Sequence, residues 1–293
     1  MKTSLRNLFS IVTVLISTAI LITACKKDSS SSTPATNDNS GAANLSATGA
    51  TADNAFDDAL NIGVQTGYAQ NIDNLNGQKN GSTTLGYNFC ATVTVKPTSG
   101  TTFPDTLIVN FGSGCTSNDG ILRSGSITYI FSGKLSTFGT TISATFNNYV
   151  INGDTLAGTY SISNTSTLAA ISFTTAVTNG KIGYQNDTSY SFSGTKTAVL
   201  QIPPSNISDP TTFVFNITGG YTISDSYGES LTATVTTPLV RQETCKNIVQ
   251  GVTSFKYTNG NASLSGDINY GNGTCDNLAV ITIGSFTETV TLP

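Results

Sequence analysis

Between Leu85 and Leu292 apolar and polar residues take turns along the chain. "CATVTVK" from Cys90, "SITYIFS" (Ser126–Ser132) and "TISATFNNYV" (Thr141–Val150) place Val, Ile, Tyr and Phe at every second position, with Thr, Ser and Asn between them. Period two in β-branched and aromatic residues, broken by Gly, Asn and Asp, is the pattern of half-buried antiparallel strands. Asn152-Gly153, Asn179-Gly180 and Asn259-Gly260 supply the positive φ angles of tight hairpin turns. No helical stretch interrupts the series, so the pattern predicts an all-β antiparallel meander. Val93, Ile127, Tyr129, Phe131, Ile142, Phe146, Phe173, Phe213, Phe215, Ile217, Val235, Phe255, Ile268 and Ile281 mark its apolar face. A lone sheet of this length would leave that face wet, which points to a β-sandwich or flattened barrel.

One helix precedes the strands. In "DNAFDDALNIGVQTGYAQ" (Asp53–Gln70), Phe56, Leu60 and Val64 recur at helical spacing. Asp53 suits its N-cap, and Asp57 and Asp58 suit its early turns, where the dipole favours anions. Gly63 and Gly67 each count against a helix by about 1 kcal/mol. The pattern places this short helix and a loop in residues 53–82, against an edge or open end of the sheet, and the β-rich domain in residues 83–293. "QIPPSNISDPTT" (Gln201–Thr212) is the longest Pro-bearing break after residue 83 and a candidate division of that domain into two halves.

The N-terminus addresses the chain to a membrane. Lys2 and Arg6 precede an uncharged run from Leu8 to Ile22, the layout of a secretory signal. The run is short for a membrane span, which needs about 20 apolar residues. Ile22-Thr23-Ala24-Cys25 looks like a lipobox, in which the cysteine thiol is acylated and becomes the first residue after cleavage. Residues 1–24 are then the signal peptide and Cys25 the lipidation site. Residues 25–52, rich in Ser, Thr, Ala, Asn and Gly, read as a flexible tether with little to bury. Lys26-Lys27 in place of an Asp after the cysteine favours the outer membrane, on its periplasmic face or at the cell surface.

Composition narrows the chemistry. Of five cysteines, four remain once Cys25 carries lipid, and an even number in an exported chain reads as disulfides. Four cysteines allow three pairings. The similar separations, and the phrases "VNFGSGC" and "INYGNGTC" before the second member of each pair, favour Cys90–Cys115 and Cys245–Cys275. Without histidine there is no Ser-His-Asp or Cys-His arrangement and no imidazole ligand for zinc. Nothing in the sequence asks for a metal or a cofactor. A carboxylate pair is what remains for catalysis, and no spacing places two acids on facing strands. Loss of Lys2 and Arg6 takes the formal charge from −4 to −6, which suits no nucleic acid.

Binding is the better expectation. Tyr184, Tyr190, Tyr221 and Tyr227 near hairpin ends could present rings to a glycan, and strand faces could meet a protein. Two Asp-Thr-Leu triplets make Thr106 and Thr155 candidate sites of O-glycosylation. The lipobox, the tether and the ending "DINYGNGTCDNLAVITIG" together resemble the uncharacterised β-rich lipoproteins of outer-membrane bacteria. That resemblance implies a location and an anchor rather than an activity. The expected function is a membrane-anchored, extracytoplasmic lipoprotein acting as a non-catalytic binding or surface-structural module. The alternatives are a carboxylate-dependent secreted hydrolase and an open-barrel carrier of lipid or lipoprotein.

Overall fold

The computed structural model describes residues 39–70, 72, 82–84, 89–97, 102–118, 120–184, 188–201, 213–242, 245, 247–276 and 278–291. One helix, α1 (Asn39–Ala69), comes first among them. Short strands β1 (Ser82–Thr84) and β2 (Thr92–Lys96) lead into β3 (Asp105–Thr116), β4 (Leu122–Phe131), β5 (Thr141–Ile151) and β6 (Asp154–Asn164). Next come β7 (Ser172–Gly183), β8 (Ser189–Gln201), β9 (Val214–Ser224) and β10 (Glu229–Gln242). The series ends with β11 (Ile248–Asn259), β12 (Ala262–Asn272), β13 (Leu278–Ile283) and β14 (Phe286–Thr291). All fourteen form one antiparallel sheet in chain order, without closure between β1 and β14. The protein is the all-β meander that its alternation predicts.

The sheet is continuous where the sequence suggested a division. Residues 202–212 lie outside the described residues, but β8 and β9 pair from Ser191↔Ser224 to Gln201↔Val214. Eleven of the fourteen expected face residues are buried, with Ile127, Tyr129, Phe173, Phe213, Phe215 and Phe255 at most 3% exposed, and Phe146, Ile217 and Val235 are half-buried. Asn152-Gly153 forms the two-residue turn between β5 and β6, with φ of 50° and 94°. The second hairpin turn falls one residue later than predicted: Asn259 ends β11 opposite Ala262, so the turn is Gly260-Asn261, with φ 57° at Gly260. Asn179-Gly180 does not make a hairpin. Asn179 takes φ 51° inside β7, where the register with β8 shifts between Val177 and Gly180. A positive φ serves a bulge as well as a turn.

Similar register shifts recur on β3, β4, β5, β6, β10 and β11. At Gly125 on β4 (φ 75°), a Cβ would stand 2.0 Å from the Asn148 carbonyl oxygen, so only glycine lets the strands meet. Bulges bend a strand and increase its twist. Their repetition curls the sheet around α1, which touches β3, β5, β6, β9 and β10.

The helix therefore lies along the concave face and not at an edge, and it is longer than its spacing predicted. Residues 39–52, read as tether, are its first turns. Ala42, Leu45, Gly49, Ala52, Phe56 and Ala59 recur every three or four positions, a stripe of mostly small side chains that admits the sheet closely. At 3.6 residues per turn Leu60 and Ile62 point in nearly opposite directions, and both are fully buried. A helix covered on so many sides is stabilised by packing rather than by propensity. Asp57 and Asp58 consequently sit in mid-helix, far from any N-terminal dipole.

Candidate functional site

The mid-helix acids meet cations on the sheet. Along β8, Phe192, Gly194, Lys196, Ala198 and Leu200 share the inward parity, which carries Lys196 towards α1. Its Nζ donates to Asp53 Oδ2 and to Asp57 Oδ2, each at 2.9 Å. The other Asp57 oxygen, Oδ1, accepts a hydrogen bond from the Tyr160 hydroxyl of β6. Around the helix, Asp58 takes a two-pronged contact from Arg123 of β4, with Nη2 to Oδ1 at 2.6 Å and Nε to Oδ2 at 3.1 Å. Arg123 is wholly buried and lies 5.3 Å from the Phe89 ring centroid. The Tyr129 hydroxyl donates to the Ala59 carbonyl at 2.5 Å.

Burial sets the protonation of these groups. It pushes the Asp57 carboxyl up to about 6, with Asp53 adding to the rise, against the pull of Lys196 and the Tyr160 hydrogen bond. Burial alone would lower the Lys196 ammonium, but Asp53 and Asp57 outweigh it and hold the group above its ordinary value. Desolvation and the Asp57 charge push the Tyr160 phenol well up, so it remains a neutral donor.

Beside this cluster the helix and the sheet do not meet. A cavity of about 100 Å³ opens between Ala50, Asp53, Asn54 and Asp57 of α1 and strands β7 to β12. Phe173, Ala198, Ile217, Val235, Leu239, Ile248 and Ile268 make its wall apolar. Lys196, Tyr221 and Tyr270 join the acids at its polar end. Burial and the Asp53 charge push the Tyr270 phenol up to about 12. An apolar chamber with a few convergent polar groups has the lining of a small-molecule site, at a volume that suits only a ligand of a few heavy atoms.

Of the site residues singled out in the sequence, Tyr221 lines this cavity and the others lie elsewhere. Cys25, with the signal and the lipobox, lies outside the described residues. Cys90 and Cys115 are bonded with Cα atoms 6.1 Å apart, and Cys245 and Cys275 with Cα atoms 5.7 Å apart. This is the pairing that their separations favoured. The meander puts the first bridge at one end of the sheet and the second at the other. Thr106 is half-buried inside β3 between Lys96 and Ile130, whereas Thr155 is exposed beside the β5–β6 turn. Tyr221 packs against Gly49 and stacks on Phe192, and the Tyr184 hydroxyl reaches the Thr48 carbonyl at 3.4 Å. Of the four tyrosines, Tyr227 stands in solvent, 89% exposed.

Lys196, Arg123 and Tyr160 were not recognised from the sequence. Their signal was there: each occupies an inward parity of its strand, Arg123 in register with Ile127 and Tyr129. Among the described residues no three His, Cys, Asp or Glu side chains gather as a metal site would require. Comparison of the chain with protein-family models, with curated proteins and with solved structures finds no match.

Proposed function

We propose that the protein is an exported lipoprotein, anchored through Cys25 at the outer membrane, that holds a small ligand between α1 and the sheet without transforming it. The cavity bounded by Asp53, Lys196 and the apolar wall of β7 to β12 carries this reading. Two disulfides suit an oxidising compartment outside the cytoplasm, in keeping with the lipobox at Ile22–Cys25.

A carboxylate-dependent hydrolase needs two carboxyl groups that face each other across a gap for substrate. Asp53 and Asp57 instead lie one turn apart on a single helix and share one ammonium. That arrangement favours holding a ligand over cleaving one. A carrier of lipid chains needs a long apolar hollow, and here α1 fills the concave face, leaving room for a small molecule.

Two experiments test the proposal. Cys25→Ala should abolish labelling by a radioactive fatty acid and leave unprocessed precursor; normal labelling would remove the anchor. For the cavity of about 100 Å³, xenon is a suitable probe, since it enters apolar cavities and is smaller than the benzene that one of about 150 Å³ accepts. Titration should shift the methyl resonances of Ile217, Val235 and Ile268, and Ala198→Leu, which fills the space, should suppress the shifts. Unmoved resonances in the unsubstituted protein would reject the site.

A further inference from the structure

With the cavity taken as the ligand site, as proposed above, its charges select what enters. Two carboxylates, Asp53 and Asp57, face one ammonium, Lys196, so the polar end carries an excess negative charge near pH 7. Asp58 does not share in it, being matched by Arg123. Both oxygens of Asp57 are engaged, by Tyr160 and Lys196. Among the described residues the hydrogen bond to Asp53 reaches Oδ2 only, which leaves Oδ1 to accept another donor.

We infer that the ligand is a small organic cation, an ammonium bearing an apolar group of about three or four carbons, since the cavity of about 100 Å³ has two thirds of the roughly 150 Å³ that holds the six carbons of benzene. The ammonium donates to Asp53 Oδ1 and balances the extra carboxylate, while the carbon chain lies against Ala198, Ile217, Leu239 and Ile268. An anion would have to approach Lys196 past the two carboxylates already on it, and like charges repel in this poorly solvated place. A neutral alcohol can donate to Asp53 but brings no charge, and hydrogen bonds between two ionised groups are the stronger kind.

The test is an NMR titration of the full chain at pH 7 and constant ionic strength with n-butylamine, butan-1-ol and butanoate, each with Asp53→Asn and Ala198→Leu beside the unsubstituted protein. The amine should bind most tightly, the alcohol more weakly and the acid least. Asp53→Asn should weaken the amine about tenfold, the size expected for one charge-assisted hydrogen bond, and leave the alcohol nearly unchanged. Ala198→Leu should exclude all three. Equal or tighter binding of the alcohol or the acid, or an amine affinity indifferent to Asp53→Asn, overturns the cation preference and leaves the cavity reading standing. If none of the three binds and xenon also fails, both readings fall. Matching melting transitions for the variants exclude unfolding as the cause.

Discussion

Lys196 Nζ stands 2.9 Å from Asp57 Oδ2, joining the eighth strand of the sheet to the middle of the helix it encloses. The contact is long-range in sequence and does the work of a clamp, because Asp53 shares the same ammonium.

Replacing the clamp should be costly. Lys196→Met keeps the stem and removes the charge, leaving two carboxylates where water is scarce. Breaking a fully buried ion pair from one side costs about 3–5 kcal/mol. Lys196 and Asp53 keep 23% and 22% of their side-chain exposure, so a loss of about 2–4 kcal/mol is expected after allowing for solvent screening. Lys196→Met with Asp57→Asn should recover part of it. Urea unfolding of the single and double variants measures both; a single variant as stable as the parent would show the clamp to be idle.

Acid should strengthen this same spot. The Asp57 carboxyl rises from 3.8 to about 6 on folding, pushed by burial. Its folded form binds a proton more tightly than its unfolded form, so its contribution is complete below 3.8 and lost as pH climbs through 6. At 1.36 kcal/mol per pH unit that window is worth about 3 kcal/mol. Measured against Asp57→Asn, which cannot titrate, the parent should gain about that much between pH 7.5 and pH 3.5. A stability difference that stays flat with pH, or falls on acidification, would contradict the assignment.

The β architecture was legible because alternation reports directly on which side of a strand is buried. Ile127, Tyr129 and Phe131 point inward, and the same parity, extended back, includes Arg123. Lys196 follows the same rule between Phe192 and Ala198. A charge at an inward position signals a partner inside the fold, and that signal was readable. What could not be read was the partner. Asp57 and Asp58 look like helix-capping acids only if the helix begins at Asp53, and residues 39–52 hid its true start. Their Ala, Gly and Ser resemble a tether because each buries little alone; the value of small side chains there is the close approach they allow. The cavity leaves no trace in any single segment, since it is a gap between a helix and six strands distant in sequence.

The two Asp-Thr-Leu triplets separate by structure. Thr155 is exposed next to the Asn152-Gly153 turn, on the second strand of a hairpin. Thr106 is half-buried and held between β2 and β4. In a cell that glycosylates such triplets after folding, glycopeptide mass spectrometry should find sugar on Thr155 and none on Thr106. Sugar confined to Thr106 would mean that modification precedes folding or that the triplet at Asp154 is not recognised.

Gly63 offers the sharpest contrast between local and tertiary preference. Ala is a better helix residue than Gly by about 1 kcal/mol, so Gly63→Ala ought to stabilise an isolated α1. In the folded protein the new Cβ would stand 2.2 Å from Cε1 of Tyr129, closer than real contacts allow. The ring cannot easily yield: Tyr129 is fully buried, and its hydroxyl is tied to the Ala59 carbonyl one turn away on the same helix. Either the helix backs away from β4 or the tyrosine loses that hydrogen bond. Overpacking of this kind costs about 1–3 kcal/mol, which exceeds the propensity gain. Gly63→Ala should therefore lower stability, and pairing it with Tyr129→Leu, which shortens the opposing side chain, should return part of the loss. A stabilised single variant would mean that α1 does not pack against β4 as closely as these distances state.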